Sequence, residues 1–134
     1  MIRFLLKLLI SIVILNSSIV VVKAQLQGKA KIDSLHLSFL NEKDGPNKVI
    51  TLNEISTEFS RINKLDSSLF YAEISLELAR KINDSLSIAD SYISLTSALM
   101  DFGKNEESMK NGLDAIMIYD NLLNSNNEST LKRY

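Results

Sequence analysis

The sequence predicts an all-α fold of antiparallel helical hairpins preceded by a signal peptide. Three observations carry this. After Gly45-Pro46, apolar residues recur at steps of three and four along four segments, which is the helical period, and no stretch alternates with period two for long enough to argue a strand. One Pro and four Gly in 134 residues leave little to interrupt long helices. The amino terminus opens on basic residues and then runs apolar, the order expected of an export signal.

Residues 1–24 form that leader. Arg3 and Lys7 give the positive start, Leu8 to Leu15 the apolar core, and Asn16-Ser17-Ser18 a polar step before Ile19 to Val22. Val22 and Ala24 occupy the small-residue positions before a signal-peptidase cut, which would fall between Ala24 and Gln25. The competing reading is an uncleaved anchor, because the stretch from Phe4 to Val22 is just long enough to span a bilayer. Both readings place the rest of the chain outside the cytoplasmic membrane. The simplest location is a bacterial periplasm or the medium, and a membrane association is expected only if the leader stays attached. Cys is absent, which excludes a disulfide framework, Cys-based zinc sites and a lipid-modified amino-terminal cysteine.

Residues 25–47 read as a linker with a short helix. Gln25 to Lys31 is polar, Ile32 to Leu40 is weakly helical, and Asn41 to Asn47 is a loop broken by Gly45-Pro46. Four helices then follow over about 48–62, 66–82, 85–102 and 106–123. Their apolar faces are expected to be Val49, Leu52, Ile55, Phe59 and Ile62; Leu69, Ala72, Leu76 and Ala79; Ile88, Tyr92, Leu95, Leu99 and Phe102; and Met109, Leu113, Ile116, Tyr119 or Asp120, and Leu123. Gly103 and Asn63 stand where helices end and can take the left-handed backbone. Asp66 or Ser67, Asp84 or Ser85, and Asn105 are the expected amino-terminal caps.

The two hairpins, 48–83 and 85–124, superimpose at a 40-residue offset. Leu52 meets Tyr92, Ile55 meets Leu95, Ser56 meets Thr96, Phe59 meets Leu99 and Asn63 meets Gly103. On the second helices Ser68 meets Ser108, Ala72 meets Gly112 and Ser75 meets Ala115. Large pairs with large and small with small, and the small positions suit close helix approach. This pattern resembles the tetratricopeptide repeat (TPR), with Tyr92, Leu95, Thr96, Leu99 and Gly103 on one helix and Ser108, Gly112 and Ala115 on the next. Gly112 replaces the family's aromatic, and Asp120 stands near its Pro. The 40-residue period exceeds the family's standard by about six residues, or about one and a half helical turns. Repeats of that length are similar to those in extracytoplasmic regions of bacterial histidine kinases and related regulators. The resemblance covers 48–128 and implies hairpins stacked as a short α-solenoid. Residues 129–134 would begin an interrupted third repeat, and Asn124 to Asn127 would be an inter-repeat turn. Met117, Leu122 and Leu123 would then lack cover, so the chain is either the start of a longer protein or self-associates at that end.

No catalytic constellation can be assembled. His36 is the only histidine and has no ligand or base partner, so it reads as an exposed structural residue. Glu106-Glu107 are adjacent on a helix, point apart, and suit its first turn. There is no Gly-x-Ser-x-Gly elbow, phosphate loop or calcium loop, and no metal or cofactor is expected. Removing residues 1–24 leaves 12 basic and 16 acidic residues, a charge of −4, which offers no footprint for nucleic acid. What remains is a surface. The TPR resemblance implies that the first helix of each hairpin lines a groove, at Ile50, Asn53, Thr57 and Arg61, then at Asp90, Ile93, Ser97 and Asp101. These lack the Lys and Asn set with which the family holds a terminal carboxylate. The expected function is a non-catalytic scaffold for a protein or peptide partner. The alternative is the sensory segment of a histidine kinase or transcriptional regulator.

Overall fold

The computed structural model describes the backbone of residues 2–131, and the side chains of 13–125 together with those of Leu6, Lys7 and Ile10. Over that span the chain is helical: α1 Ile2–Asn41, α2 Pro46–Arg61, α3 Leu65–Ile82, α4 Ser85–Asp101 and α5 Asn105–Leu131. Among the described residues there is no strand, and no helix is long and apolar enough to cross a membrane.

Each helix packs on the next, and α2 also packs on α4. The turns between α2 and α5 are built alike. Asn63 (φ 58°), Asn83 (φ 54°) and Gly103 (φ 83°) are evenly spaced along the chain and are the described residues of positive φ. In each turn two amides fold back on the departing helix. Lys64 N–H reaches Phe59 O at 2.8 Å and Asn63 N–H reaches Ser60 O at 2.8 Å. Lys104 and Gly103 repeat this with Leu99 O at 2.8 Å and Met100 O at 2.9 Å, and Asp84 and Asn83 with Ala79 O and Arg80 O at 3.4 and 3.1 Å. This is the Schellman arrangement, which satisfies the last carbonyls and needs a left-handed residue. Gly and Asn supply it at least steric cost.

Small polar residues set the helix contacts. Ser56 Oγ donates to Ser68 O at 2.8 Å between α2 and α3, and Ser108 Oγ donates to Thr96 O at 3.0 Å between α4 and α5. These two contacts are related by the 40-residue offset. Between them, Ser75 Oγ lies 2.9 Å from Ser91 Oγ on α4 and 3.3 Å from Val49 O on α2. Contacts five to eight residues either side of Asn63, Asn83 and Gly103 make the joined helices antiparallel, so α2 and α4 run parallel. The apolar core surrounds these crossings. Val49, Leu52, Leu78 and Ala79 form one cluster, and Ala72, Leu76, Leu95, Ala98 and Leu99 another.

The structure departs from the expectations in five places. Residues 25–31, expected to be a linker, continue α1, since Ala24 to Lys31 are good helix formers apart from Gly28. Gly28 is buried where α1 meets the end of α2, and a Cβ there would overlap Ile62. The helix after Gly45 begins at Pro46, the first helical position, where the missing N–H is no loss. The residue preceding α3 is Lys64, so Asp66 and Ser67 lie within its first turn and do not cap it, and Asn105 is likewise already the first residue of α5. Asp84, by contrast, accepts from Ser87 N at 2.9 Å. Residues 124–127, expected to be a turn, are helical, as is the beginning of the proposed third repeat up to Leu131. That stretch has neither Gly nor Pro, and Ser125 Oγ bonds Leu122 O at 2.9 Å within the helix; residues 132–134 lie outside the described residues. Finally, the predicted apolar face of α5 is exposed, with Met109 at 66%, Leu113 at 57% and Ile116 at 54%. The small face packs instead, with Ser108 and Ala115 buried, because α4 is the neighbour and only small side chains admit so close an approach.

Two glycines on the repeat test this geometry. A Cβ on Gly112 would meet Thr96 Cγ2 at 3.6 Å, an ordinary van der Waals contact. Gly112→Ala should therefore stabilise the protein by about 0.5–1 kcal/mol in urea unfolding, the helix-interior difference between Gly and Ala. Gly103→Ala should destabilise it by about 1 kcal/mol, since its φ is +83°. A destabilising Gly112→Ala would show that the α4–α5 spacing is tighter than described.

Candidate functional site

The parallel pair α2 and α4 leaves an open cleft of about 510 Å3 on the face away from α3 and the core clusters. One stripe of α2 lines it with Ile50, Asn53, Glu54 and Thr57. Four positions of α4 line it too, Asp90, Ile93, Ser94 and Ser97. Each member of the second set is the counterpart of one in the first at the 40-residue offset. Steps of three and four place each set on one stripe of its helix. Lys31 and Glu58 wall one side, and Tyr119 of α5 reaches in from the other.

Of the groove residues expected from sequence, Ile50, Asn53, Thr57, Asp90, Ile93 and Ser97 are brought together here. Arg61 and Asp101 are not. Arg61 turns back on its own helix, its Nη1 at 2.9 and 3.1 Å from the two Glu58 oxygens. Asp101 accepts from Ser60 and so ties the carboxyl end of α4 to that of α2. Glu54 and Ser94 are the i+4 neighbours of Ile50 and Asp90, so one further helical step would have found them. Lys31, Glu58 and Tyr119 had no such signal, because they enter from a helix expected to be a linker, from the inner edge of α2 and from α5.

The cleft is chemically uneven. Ile50 and Ile93 give it an apolar floor, 49% and 47% exposed. Glu58 is only 3% exposed at its side chain, yet its charge is met twice, by Lys31 Nζ at 2.7 Å and by Arg61. An ionised carboxylate buried to that extent without partners would carry a large desolvation cost, so Lys31 anchors α1 against α2. Asp90 accepts from Tyr119 Oη. Asn53 Oδ1 and Ser94 Oγ are shielded from solvent and have no hydrogen-bond partner among the described residues. Thr57 Oγ1 is committed to Asn53 O at 2.9 Å.

No group of three or more His, Cys, Asp or Glu that could hold a metal occurs among the described residues. His36, expected to be exposed, is half-buried on α1, its ring 5.5 Å from Tyr71 of α3 and 6.3 Å from Phe59 of α2. It lies away from the cleft lining. A smaller cleft of about 270 Å3, beside Phe39 and Ile74, is bridged by Asp44, which pairs with Lys81 at 2.6 Å and Lys48 at 3.3 Å. No protein-family model matches the chain, and neither a curated protein nor a solved structure matches it.

Tyr119 gives a spectroscopic handle on the site. Burial, then the hydrogen bond to Asp90 and its negative charge, push the phenol up to about 12. A phenol raised above its unfolded value of about 10 stabilises the fold fully below pH 10, and that contribution fades as pH rises towards 12. The difference in absorbance near 295 nm between the wild type and Tyr119→Phe should titrate about two pH units above free tyrosine. Asp90→Asn should lower that midpoint. A difference curve centred near 10 would show that Tyr119 does not reach Asp90.

Proposed function

We infer that the protein is an exported, non-catalytic binding module of TPR type whose α2–α4 cleft seats a segment of a protein partner. The observation that carries this is the cleft lining itself. Four pairs of residues, each 40 positions apart, present two parallel helical stripes to one open space with an apolar floor. A helical-repeat scaffold forms a partner groove in this manner, the first helices of successive hairpins lying side by side. The shared turn geometry and the matching Ser56–Ser68 and Thr96–Ser108 contacts support the repeat. Export rests on the leader. Residues 13–27 are exposed throughout, and the first residue described as buried is Gly28, so a cut between Ala24 and Gln25 would remove no packed side chain among those described.

The test is affinity capture from the periplasmic fraction of cells expressing the full chain. The recovered protein should begin at Gln25. It should retain a partner that Ser97→Trp, which fills the cleft, and Ile93→Gln, which removes half its floor, both release. Glu73→Lys, an exposed site on α3, should retain it. A partner held equally by all three variants would place the binding surface elsewhere, and recovery of the protein from the cytoplasm with Met1 intact would defeat the export reading.

A further inference from the structure

The charged groups of the cleft that still lack partners are acceptors, and so is one of its two shielded atoms without a partner, Asn53 Oδ1. Glu54 forms no ion pair among the described residues, and Asp90 uses one oxygen on Tyr119 and leaves the other open. Asn53 Oδ1 is shielded from solvent and lacks a donor, and Ser94 Oγ, which can serve either way, lies in the same wall. The strongest donor is already used, since Lys31 Nζ sits on Glu58 at 2.7 Å, and the exposed Thr57 hydroxyl donates to its own helix. The lining holds three carboxylates against one ammonium, and Arg61, outside the lining, also pairs with Glu58, so three negative charges stand against two positive ones around the cleft. The carboxylates without a cation are Glu54 and Asp90.

A shielded acceptor without a donor leaves a desolvation cost that a ligand can relieve, and a donor-only group relieves it best. Guanidinium and ammonium are donor-only side chains that also carry the positive charge Glu54 and Asp90 lack, and a carboxylate presented across an apolar floor favours the planar guanidinium. We propose that the segment seated in the α2–α4 cleft carries an arginine or lysine side chain, whose N–H groups bond Asp90, Glu54 and Asn53 Oδ1 while its apolar neighbours lie on Ile50 and Ile93. This rests on the cleft being the partner site. It is a charge preference opposite to that of a groove built to hold a carboxylate.

The probes are three sets of fluorescein-labelled 12-residue peptides with the same Leu, Ile, Ala and Asn content, carrying two Arg, two Gln or two Glu. Binding to the protein purified from cells is read by fluorescence anisotropy at physiological salt. The Arg set should bind about tenfold more tightly than the Gln set, and the Glu set more weakly than either. Ser97→Trp should abolish binding of the Arg set. The double variant Asp90→Asn with Glu54→Gln should bind the Arg and Gln sets equally; asparagine keeps an acceptor for Tyr119, so circular dichroism should be unchanged. Equal binding of all three sets, blocked by Ser97→Trp, would overturn the cation preference and leave the cleft as the partner site. An Arg preference that survives the double variant would likewise overturn it, since the cation would be read elsewhere. Failure of every set to bind would overturn both readings.

Discussion

Three buried hydroxyl crossings hold the helices at the distance on which everything else depends. Ser56 with Ser68, Ser75 with Ser91, and Ser108 with Thr96 join α2 to α3, α3 to α4, and α4 to α5. These serines are at most 4% exposed. A hydroxyl so buried costs about 1–3 kcal/mol if left unpaired but contributes about 1 kcal/mol when bonded. The contacts are therefore demanding: each must place an acceptor within reach, which requires the helices to come close. Small side chains permit that approach, and Ala72, Ala79 and Ala115, fully buried, permit it along the rest of each contact. Ser75 has the most to satisfy, since its hydroxyl touches both Val49 O on α2 and Ser91 on α4. It sits where three helices meet.

From that junction the position of the cleft follows. Drawing α2 and α4 to a common neighbour, α3, sets them parallel and side by side, and their outward stripes then face one open space. The large apolar side chains lie on the other faces, around Leu52 and Leu78 and around Leu76 and Leu99. The cleft is thus lined by what packing did not use: two isoleucines, short hydroxyls, an amide and carboxylates. Its side wall depends on a different interaction. Glu58 can be buried because Lys31 and Arg61 both reach it. Gly28, lying against Ile62, lets α1 come near enough for Lys31 to do so. Without α1 docked, Glu58 would lose its Lys31 partner and the cleft one wall.

The helices and most of their turns were legible because their physical demands are local. Large residues every third or fourth position marked the buried stripes of α2, α3 and α4, and Asn63 and Gly103 marked turns that need a left-handed backbone. Asn83, midway between them, does the same work, and its neighbour Asp84 was the visible signal at that turn. Of the positions read from the 40-residue offset, Ile50, Asn53, Thr57, Asp90, Ile93 and Ser97 line one cleft. Arg61 and Asp101 fit the same periodicity but were drawn off by Glu58 and Ser60, partners that spacing along a single helix cannot reveal. The helical character of 25–31 was obscured by polar residues that suit a linker as well as a solvated helix. Only Gly28, meeting Ile62 on the far side of the Gly45-Pro46 break, distinguishes the two.

By itself the sequence determined the all-helical class, the helix count after Gly45, the turn sites and the residues able to let helices approach closely. These follow from preferences that act within a few residues of one another. Only the tertiary structure decided which face of α5 is buried. Met109, Leu113 and Ile116 form the more apolar stripe, yet Ser108 and Ala115 pack, because α5 meets α4 across a contact too close for large side chains. It also decided that Asp90 takes its bond from Tyr119 and that Glu58 is shared between α1 and α2. Those contacts join residues 27 and 29 positions apart, and no local preference specifies them. They exist because the hydroxyl crossings fix where each helix lies before its longer side chains find partners.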